Sequence, residues 1–484
     1  MFSATSQFEA ALRIIATLRA NGHQAYLAGG CVRDLLLGRE PHDFDVATSA
    51  TPDVVLHLFP RTFAVGAQFG VVLVATDLSA PNSPCVAQAA ASPQVDEHLA
   101  RNFARANSEL LTPPQVVTEV ATFRSDGAYS DGRHPNAVRY TSSAEEDVHR
   151  RDFTINGLLF DPMQPTGNLR VAVIDHVQGL TDLDAGLIRA IGQPSERFEE
   201  DHLRMLRAVR FAARFDFQID PVTAAAIHRL APKTKAVSRE RVRDELTKML
   251  TEGHARRAFE LLDETGLLTE ALPEIARMKG VEQPPQFHPE GDVWTHTLGL
   301  LGQLSAGCSA TLAWGALLHD VGKPSTFRRA DRIRFDGHVE VGVATAAEIC
   351  RRFRFSNDET SQILALVHNH MRFADAPRMK ASTLKRFFRL ENFPEHLALH
   401  RMDCLAGSGN LDHWNFVRER HGSMPEEAVR PRPLLTGREL IAAGYRPGPT
   451  FKKMLRAVED AQLEGEITTQ QEALMLLQNR FPIE

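Results

Sequence analysis

The chain has 484 residues, 43% of them hydrophobic and 24% charged, with a formal net charge of −6 at pH 7. That length allows about three domains, and the negative balance means that contact with a nucleic acid must use a local basic surface rather than the field of the whole molecule. The five cysteines, at 31, 85, 308, 350 and 404, contain no CxxC pair, which argues against a zinc ribbon or disulfide framework and fits a reducing compartment.

The N-terminus reads as an amphipathic helix over Phe8–Leu18, interrupted by Glu9 and without a signal-type apolar core. No run of about eighteen apolar residues is present to span a bilayer, so a cytoplasmic protein with no membrane partner is expected. Strands are predicted at Ala25–Ala28 and Phe44–Ala47, with a helix over Val32–Leu37 between them. The stretch Tyr26–Thr48, YLAGGCVRDLLLGREPHDFDVAT, holds the densest chemistry. Gly29 and Gly30 let the backbone approach a bulky anion, and the helix start that follows favours negative charge. Arg33 could fork onto a phosphate there. Asp43 and Asp45, two apart at a strand start, point from one face. Two carboxylates beside a phosphate-binding turn suit a Mg²⁺-dependent phosphoryl transfer, because hard cations take oxygen ligands and keep substrate phosphates among them. Alone, a GG turn is most often a turn and a DxD a solvated loop; together, with Arg33 between them, they are more specific. Cys31 reads as a small packing residue rather than a nucleophile.

A helix is predicted after Thr51-Pro52, then strands at Phe69–Ala75 and Val116–Phe123. Between them lies an Ala-, Ser- and Pro-rich insertion, about 77–114, with a helical pattern near 97–105. Glu119 interrupts an apolar strand, where a carboxylate is costly to bury without a partner. It is either an edge residue facing solvent or a member of the site, across the sheet from Asp43 and Asp45. Arg124–Tyr140, RSDGAYSDGRHPNAVRY, has no periodicity and reads as a loop of the kind that orders around substrate. Arg150, Arg151 and Asp152 stand at a helix start in DVHRRDFTIN. In EEDHLRMLRAVRFAARF, Glu199–Phe215, helical spacing puts Asp201, Arg204 and Arg207 on one broad face. An arginine and an aspartate one turn apart are an ordinary ion-paired helix surface, or a pair that reads a base edge. The carboxylate would accept from the exocyclic amine that C and A share, which selects CTP and ATP without a nucleic-acid template.

These blocks, GGCVRDLLLGREPHDFD, DGRHP, RRDFTIN and EDHLRMLRAVRFAARF, come in the order found in class II tRNA nucleotidyltransferases, and residues 20–280 resemble that family in its tRNA nucleotidyltransferase/poly(A) polymerase branch. The resemblance implies an α/β nucleotidyltransferase head with a small mixed sheet, followed by an all-α neck and body. It implies that Asp43 and Asp45 bind Mg²⁺, with Glu119 in support. Gly29, Gly30 and Arg33 would hold the triphosphate, and Arg151 and Asp152 the nucleotide. Asp201 and Arg204 would read the base, assisted by Arg207 and Arg210. The Arg124–Tyr140 loop would correspond to the element that takes part in switching from CTP to ATP. The implied activity is addition of CCA to the tRNA 3′ end from CTP and ATP. An A-adding enzyme and a poly(A) polymerase are the near alternatives, although Val65–Gly70 lacks the paired basic residues of the latter.

Lys233, Lys235, Arg239, Arg241 and Arg243 form a basic cluster suited to RNA phosphates or to a solvated helix surface. Beyond Phe287 the pattern changes to FHPEGDVWTHT and LAWGALLHDVGKPST. His296, His319, Asp320 and Asp403 are divalent-metal ligand types, with His338 and His368 as further candidates. This segment resembles an HD domain, which implies a second divalent metal and a metal-dependent phosphohydrolase, or a fold kept for structural or RNA-supporting reasons. The tail from Pro433 reads as short helices whose Arg446, Lys452, Lys453 and Arg456 suit RNA. The expected division is 1–165 head, 166–285 neck and body, 286–410 HD domain and 411–484 tail. The oligomeric state, a homodimer included, is left open.

Overall fold

A computed structural model of the chain describes residues 5–64, 70–78, 115–127, 138–164 and 168–482. The insertion from 79 to 114 with its helix, the stretch 65–69 and the centre of the long loop, 128–137, lie outside the described residues. Two compact units are present rather than four: Met1–Arg241 with Glu264–Glu270, and Val242–Asp263 with Ala271–Glu484.

The first unit is built on a seven-stranded sheet. Its members are β1 (Ala25–Ala28), β2 (Val46–Thr48), β3 (Thr62–Phe63), β4 (Val71–Asp77), β5 (Gln115–Thr122), β8 (Leu159–Phe160) and β9 (Val173–Ile174), while β6 (Arg124–Asp126) and β7 (Val138–Tyr140) pair separately. The order is β3-β4-β5-β2-β1-β8-β9. The sheet is mixed, as expected: β2 and β5 run parallel, with Val46 opposite Val120, and the other neighbours are antiparallel. The helix Ser6–Ala20 buries Ala10, Ala11, Ile14, Ile15 and Leu18, an i, i+4 stripe against the sheet. The ends of the Arg124–Tyr140 segment are paired strands, so that segment is not wholly a loop.

The expected single helix over Glu199–Phe215 is two. Pro194–Glu200 ends, Asp201 is extended at φ −146°, and Leu203–Phe215 begins. The Asp201 side chain accepts from Leu203 N at 3.0 Å, so a carboxylate takes one of the amides that a helix start leaves without a partner.

Helices dominate the second unit. Val293–Leu301, Ala310–Leu318, His338–Arg352, Asn357–Asn369 and Phe393–Ala406 pack around a histidine- and aspartate-rich interior. The C-terminal helices close a small core of Leu440, Val458, Ala461, Ala473 and Leu477. Capping boxes, Thr436 with Glu439 and Thr469 with Glu472, start two of those helices. No helix of the described residues is long and apolar enough to cross a membrane.

Candidate active site and a second histidine–aspartate centre

β1 runs into Gly29, which has φ +72° and donates to Leu158 O at 3.0 Å. The helix Gly30–Leu36 starts there without a side-chain cap, leaving its first amides facing outward. Glycine is required at 29 on two counts. The backbone is in the left-handed region, and a Cβ would stand 2.9 Å from Arg151 Nη1. Arg151 is held in that position by Asp147, whose Oδ2 accepts from Arg151 Nη2 at 3.0 Å and Nε at 3.3 Å. The other oxygen accepts from Arg150 at 2.6 and 2.9 Å and from Arg124 N at 3.3 Å. Burial pushes the Asp147 carboxyl up, but Arg151 and Arg150 outweigh it and hold the group below the usual carboxylate range.

Asp43 and Asp45 precede β2 rather than begin it. Phe44 between them is buried, its ring 5.3 Å from that of Phe8, so its two neighbours are turned to the opposite side. Asp45 O accepts from Ala28 N at 3.0 Å, which ties the pair to the end of β1. The Asp45 carboxyl is pushed up to about 7, first by burial and then by the negative charges of Glu119 and Asp43, against a smaller pull from Arg151. Glu119 lies one residue before Val120, the partner of Val46, and is exposed. Both readings of Glu119 therefore hold: it faces solvent, and its charge acts on Asp45. The donor set fits a hard divalent cation, since three carboxylates crowded enough to raise one of them to about 7 lack an opposite charge of matching size. Cys31 is buried and its thiol pushed up to about 12, chiefly by burial, as befits a packing residue.

Arg33 departs from expectation. Only 3% exposed, it donates to Asp34 Oδ1 at 2.9 Å and Asn156 Oδ1 at 2.5 Å, over the Phe215 ring at 4.4 Å. Its donors are used inside the protein, so it braces the turn beneath Gly30 rather than presenting an open fork. Asn156, unassigned in the sequence reading although it ends RRDFTIN, also donates to Asp152 Oδ1 at 3.0 Å. Asp152 Oδ2 accepts from Arg207 Nε at 2.9 Å. Burial pushes Asp152 up, and Arg207 leads the groups that bring it to about 2. A continuous chain, Arg33–Asn156–Asp152–Arg207, thus joins the glycine turn to the helix Leu203–Phe215.

Arg204 donates to Glu200 at 2.6 Å, Arg197 O at 3.1 Å and Arg150 O at 3.0 Å. Asp201 takes a bidentate contact from Arg241, at 2.7 and 3.2 Å. Arg210 is 6% exposed with its guanidinium over Phe211. In the predicted basic cluster, Lys233 meets Glu199, Lys235 meets Glu270, Arg241 meets Asp201 and Arg243 meets Asp244. Much of that positive charge is already compensated. In the tail, Lys452, Lys453 and Arg456 line a groove of about 1040 Å³ together with Arg389 and Arg430.

The second unit brings His296, His319, Asp320 and Asp403 together as expected. His296 Nε2 is 2.9 Å from Asp403 Oδ1, and His319 Nε2 is 3.1 Å from Asp320 Oδ2. His338 joins them, but His368 does not: it is exposed, and buried His370 takes its place. Glu290, His288 and Lys323 also belong to the centre and were missed. Glu290 Oε1 accepts from His296 Nδ1 at 2.6 Å and lies 2.9 Å from His288 Nδ1. Lys323 Nζ donates to Gln283 at 2.7 Å and pairs with Asp320 Oδ2 at 2.6 Å. Burial pulls the His296 imidazolium down, but hydrogen bonds to Asp403 and Glu290 raise it to about 9.

Residues 25–82 and 76–189 match the family described as "Poly A polymerase head domain". Residues 216–279 match an RNA and SrmB-binding site of polymerase A, and 338–477 match tRNA nucleotidyltransferase domain 2. The CCA-adding enzyme of Streptococcus thermophilus is 30% identical over 474 residues, covering 97% of this chain and 96% of its own. That of Geobacillus thermodenitrificans is 38% identical over 472 residues, covering 96% and 95%. Among solved structures, the Bacillus stearothermophilus CCA-adding enzyme in complex with CTP superposes with a TM-score of 0.68 at 27% identity, over 98% of both chains. The Thermotoga maritima CCA-adding enzyme complexed with tRNA_CCA shares the fold, at a TM-score of 0.54 and 16% identity over 97% and 94%.

Proposed function

This chain belongs to the family of CCA-adding enzymes, and from that premise we propose that it adds C, C and A to the 3′ end of tRNA from CTP and ATP, without a nucleic-acid template and with release of diphosphate. The observation that carries the reading is the placement of Asp43 and Asp45 beside the Gly29–Gly30 turn, with Asp45 pushed up to about 7 by burial and by its acidic neighbours. In the reaction the tRNA 3′-hydroxyl oxygen bonds to the nucleotide α-phosphorus as the bond to the diphosphate breaks. The Gly29–Gly30 turn and the amides of the helix behind it receive the phosphates, with Arg151 held against the turn by Asp147 and Arg33 bracing it from below. Asp43 and Asp45 would hold Mg²⁺, with Glu119 adding charge nearby; when bound, the ion supplies charge neutralisation at the reacting oxygens and activation of the hydroxyl. Asp201 and Arg204 are the proposed base readers, with Arg207 fixed on Asp152 beside them and Arg210 supporting the helix from within. Groups of this kind in the tail, Lys452, Lys453 and Arg456, are the proposed RNA contacts.

The test supplies the purified protein with Mg²⁺ and labelled tRNA ending at the discriminator base. Two additions with CTP alone, and a third only when ATP is also present, are expected. Asp43→Ala with Asp45→Ala should lose the transfer while keeping the fold, and full activity in that variant would sink the assignment. Extension by ATP only on tRNA already ending in CC would mean an A-adding enzyme.

A second reading attaches to the second unit by itself. His296, His319, Asp320 and Asp403 offer nitrogen and carboxylate ligands in a buried cluster. We propose that they hold a divalent ion and hydrolyse phosphate esters, an activity that should survive loss of Asp43 and Asp45 and vanish on replacement of His319 and Asp320.

A further inference from the structure

The buried centre of the second unit contains more ligand atoms than one ion uses, and they divide into two sets. Asp320 stands between them, 2% exposed. Its Oδ2 faces one side, 3.1 Å from His319 Nε2, 4.0 Å from His296 Nε2 and 2.6 Å from Lys323 Nζ. Its Oδ1 faces the other, 3.7 Å from His370 Nε2 and 3.9 Å from His338 Nε2. The two sides differ in how far they are satisfied within the protein. On the Oδ2 side, Lys323 supplies a charge and His296 is engaged by Asp403 and Glu290. On the Oδ1 side, Asp320 Oδ1, His338 Nε2 and His370 Nε2 are all buried and lack a hydrogen-bond partner. Polar atoms left this way cost about 1–3 kcal/mol each, and three pointing at one place require an explanation.

Their orientation supplies it. His338 Nδ1 bonds to Phe335 O at 2.9 Å and His370 Nδ1 to Val367 O at 2.6 Å. In each case a backbone carbonyl takes the Nδ1 proton, so the inward Nε2 carries a lone pair rather than a hydrogen. Two imidazole lone pairs and a carboxylate oxygen cannot bond to one another, because none of them is a donor. Separations of 3.7 and 3.9 Å are beyond hydrogen-bond reach. They are within a few tenths of an ångström of the roughly 3.0–3.5 Å that separates two ligands each about 2.0–2.2 Å from a shared ion. A carbonyl fixing the far nitrogen is the usual support of a metal-bound histidine.

We propose that Asp320, His338 and His370 form a divalent transition-metal site of their own, with Asp320 as the bridge to the His296–His319–Asp403 set, so that the centre accepts two ions. Nitrogen-rich ligation with one carboxylate favours Zn²⁺, Mn²⁺, Co²⁺, Ni²⁺ or Fe²⁺ over Mg²⁺ or Ca²⁺. Three protein ligands leave positions for water. The second site stands on its own geometry; only the total of two rests on the reading of the first set as a metal site.

The experiment measures bound metal per chain on full-length protein, stripped with chelator, reloaded with Mn²⁺, Co²⁺ or Zn²⁺ in turn and desalted. Wild type should retain two ions. His338→Asn and His370→Asn should each retain one, and the Co²⁺ visible absorption should fall by about half, while addition of CTP to tRNA stays at the wild-type rate as the control for folding. His296→Asn should also retain one. One ion in wild type that persists in both His338→Asn and His370→Asn, and is lost in His296→Asn, would overturn the second site and leave the first standing. One ion lost in the His338 and His370 variants but kept in His296→Asn would uphold this site and remove the first. No ion at all would remove both.

Discussion

Asp147 is the most informative single residue to change, because it touches no ligand in the proposed reaction yet orients one that does. Its carboxylate accepts five hydrogen bonds, two each from Arg150 and Arg151 and one from Arg124 N. Asp147→Asn preserves the volume but turns an NH₂ group toward a guanidinium. Removing one member of a buried ion pair costs about 3–5 kcal/mol. Arg150 and Arg151 keep 21% and 18% of their side chains in solvent, so the lower end applies. About 3 kcal/mol corresponds to a fall of roughly 6–12 °C in the melting transition of a unit this size. Calorimetry of the full chain with and without CTP identifies that transition as the one CTP shifts. Arg151, no longer held against Gly29, should raise KM for both CTP and ATP about tenfold, equivalent to roughly 1.4 kcal/mol. The folded carboxyl sits below its ordinary value, so the stability it supplies is present above about pH 4 and disappears as pH falls; the variant should therefore lose its deficit against wild type in acid. Glu146→Gln, whose partner Arg139 is 3.4 Å away on the exposed side, is the control and should move stability by under about 0.5 kcal/mol. A melting shift within 2 °C of that control, or unchanged KM, would refute the argument.

Asp45 gives a pH prediction of opposite sign. Its carboxyl is raised to about 7, so the stability linked to its proton is present below the unfolded value of roughly 3.9 and is lost as pH rises through about 7. A divalent cation must displace that proton. At subsaturating Mg²⁺ the transfer rate should therefore rise about tenfold per pH unit below 7 and level off above it, and Glu119→Gln should move the rise to lower pH; titrations of Mg²⁺ at pH 6, 7 and 8 that superimpose would exclude it. Gly29→Ala forces a Cβ onto a left-handed residue, at a cost of about 1–2 kcal/mol, and into Arg151 at 2.9 Å. It should lower stability by that amount and weaken CTP and ATP together, whereas a selective effect on one nucleotide would contradict a phosphate-binding role for the turn.

The sheet was legible in outline because its strands carry strong local signals. The expected Ala25–Ala28 is the observed β1, and Val116–Phe123 lies within one residue of β5 at each end. The starts of β2 and β4 come two residues later than expected, because apolar character continues past the point where ladder pairing begins. Phe44 is buried without being in a strand, and apolar periodicity alone cannot tell those situations apart. The break at Asp201 was hidden for a related reason. EEDHLRMLR reads as helix throughout, and only the bond from Leu203 N to the Asp201 side chain shows that the carboxylate starts a new helix.

Partners are harder to read than elements, because a charged side chain is claimed by whichever group the fold brings closest. Arg33 was assigned to a phosphate from its place after two glycines, and the fold supplies Asp34 and Asn156 first. The asparagine lies 123 residues away, a distance across which sequence offers no geometric relation. The same limit decided the histidines. His368 and His370 are two residues apart, which on a helix places them about 200° apart and on opposite faces, so at most one can enter the centre. The helix Asn357–Asn369 ends between them, and the following 3₁₀ turn starts at His370. That change of helix type, together with the inward pull of Val367 and Leu366 on the same face, delivers His370 to Asp320 and leaves His368 in solvent. A composition of ligand types can therefore announce a metal centre, but its membership is settled by where a helix stops.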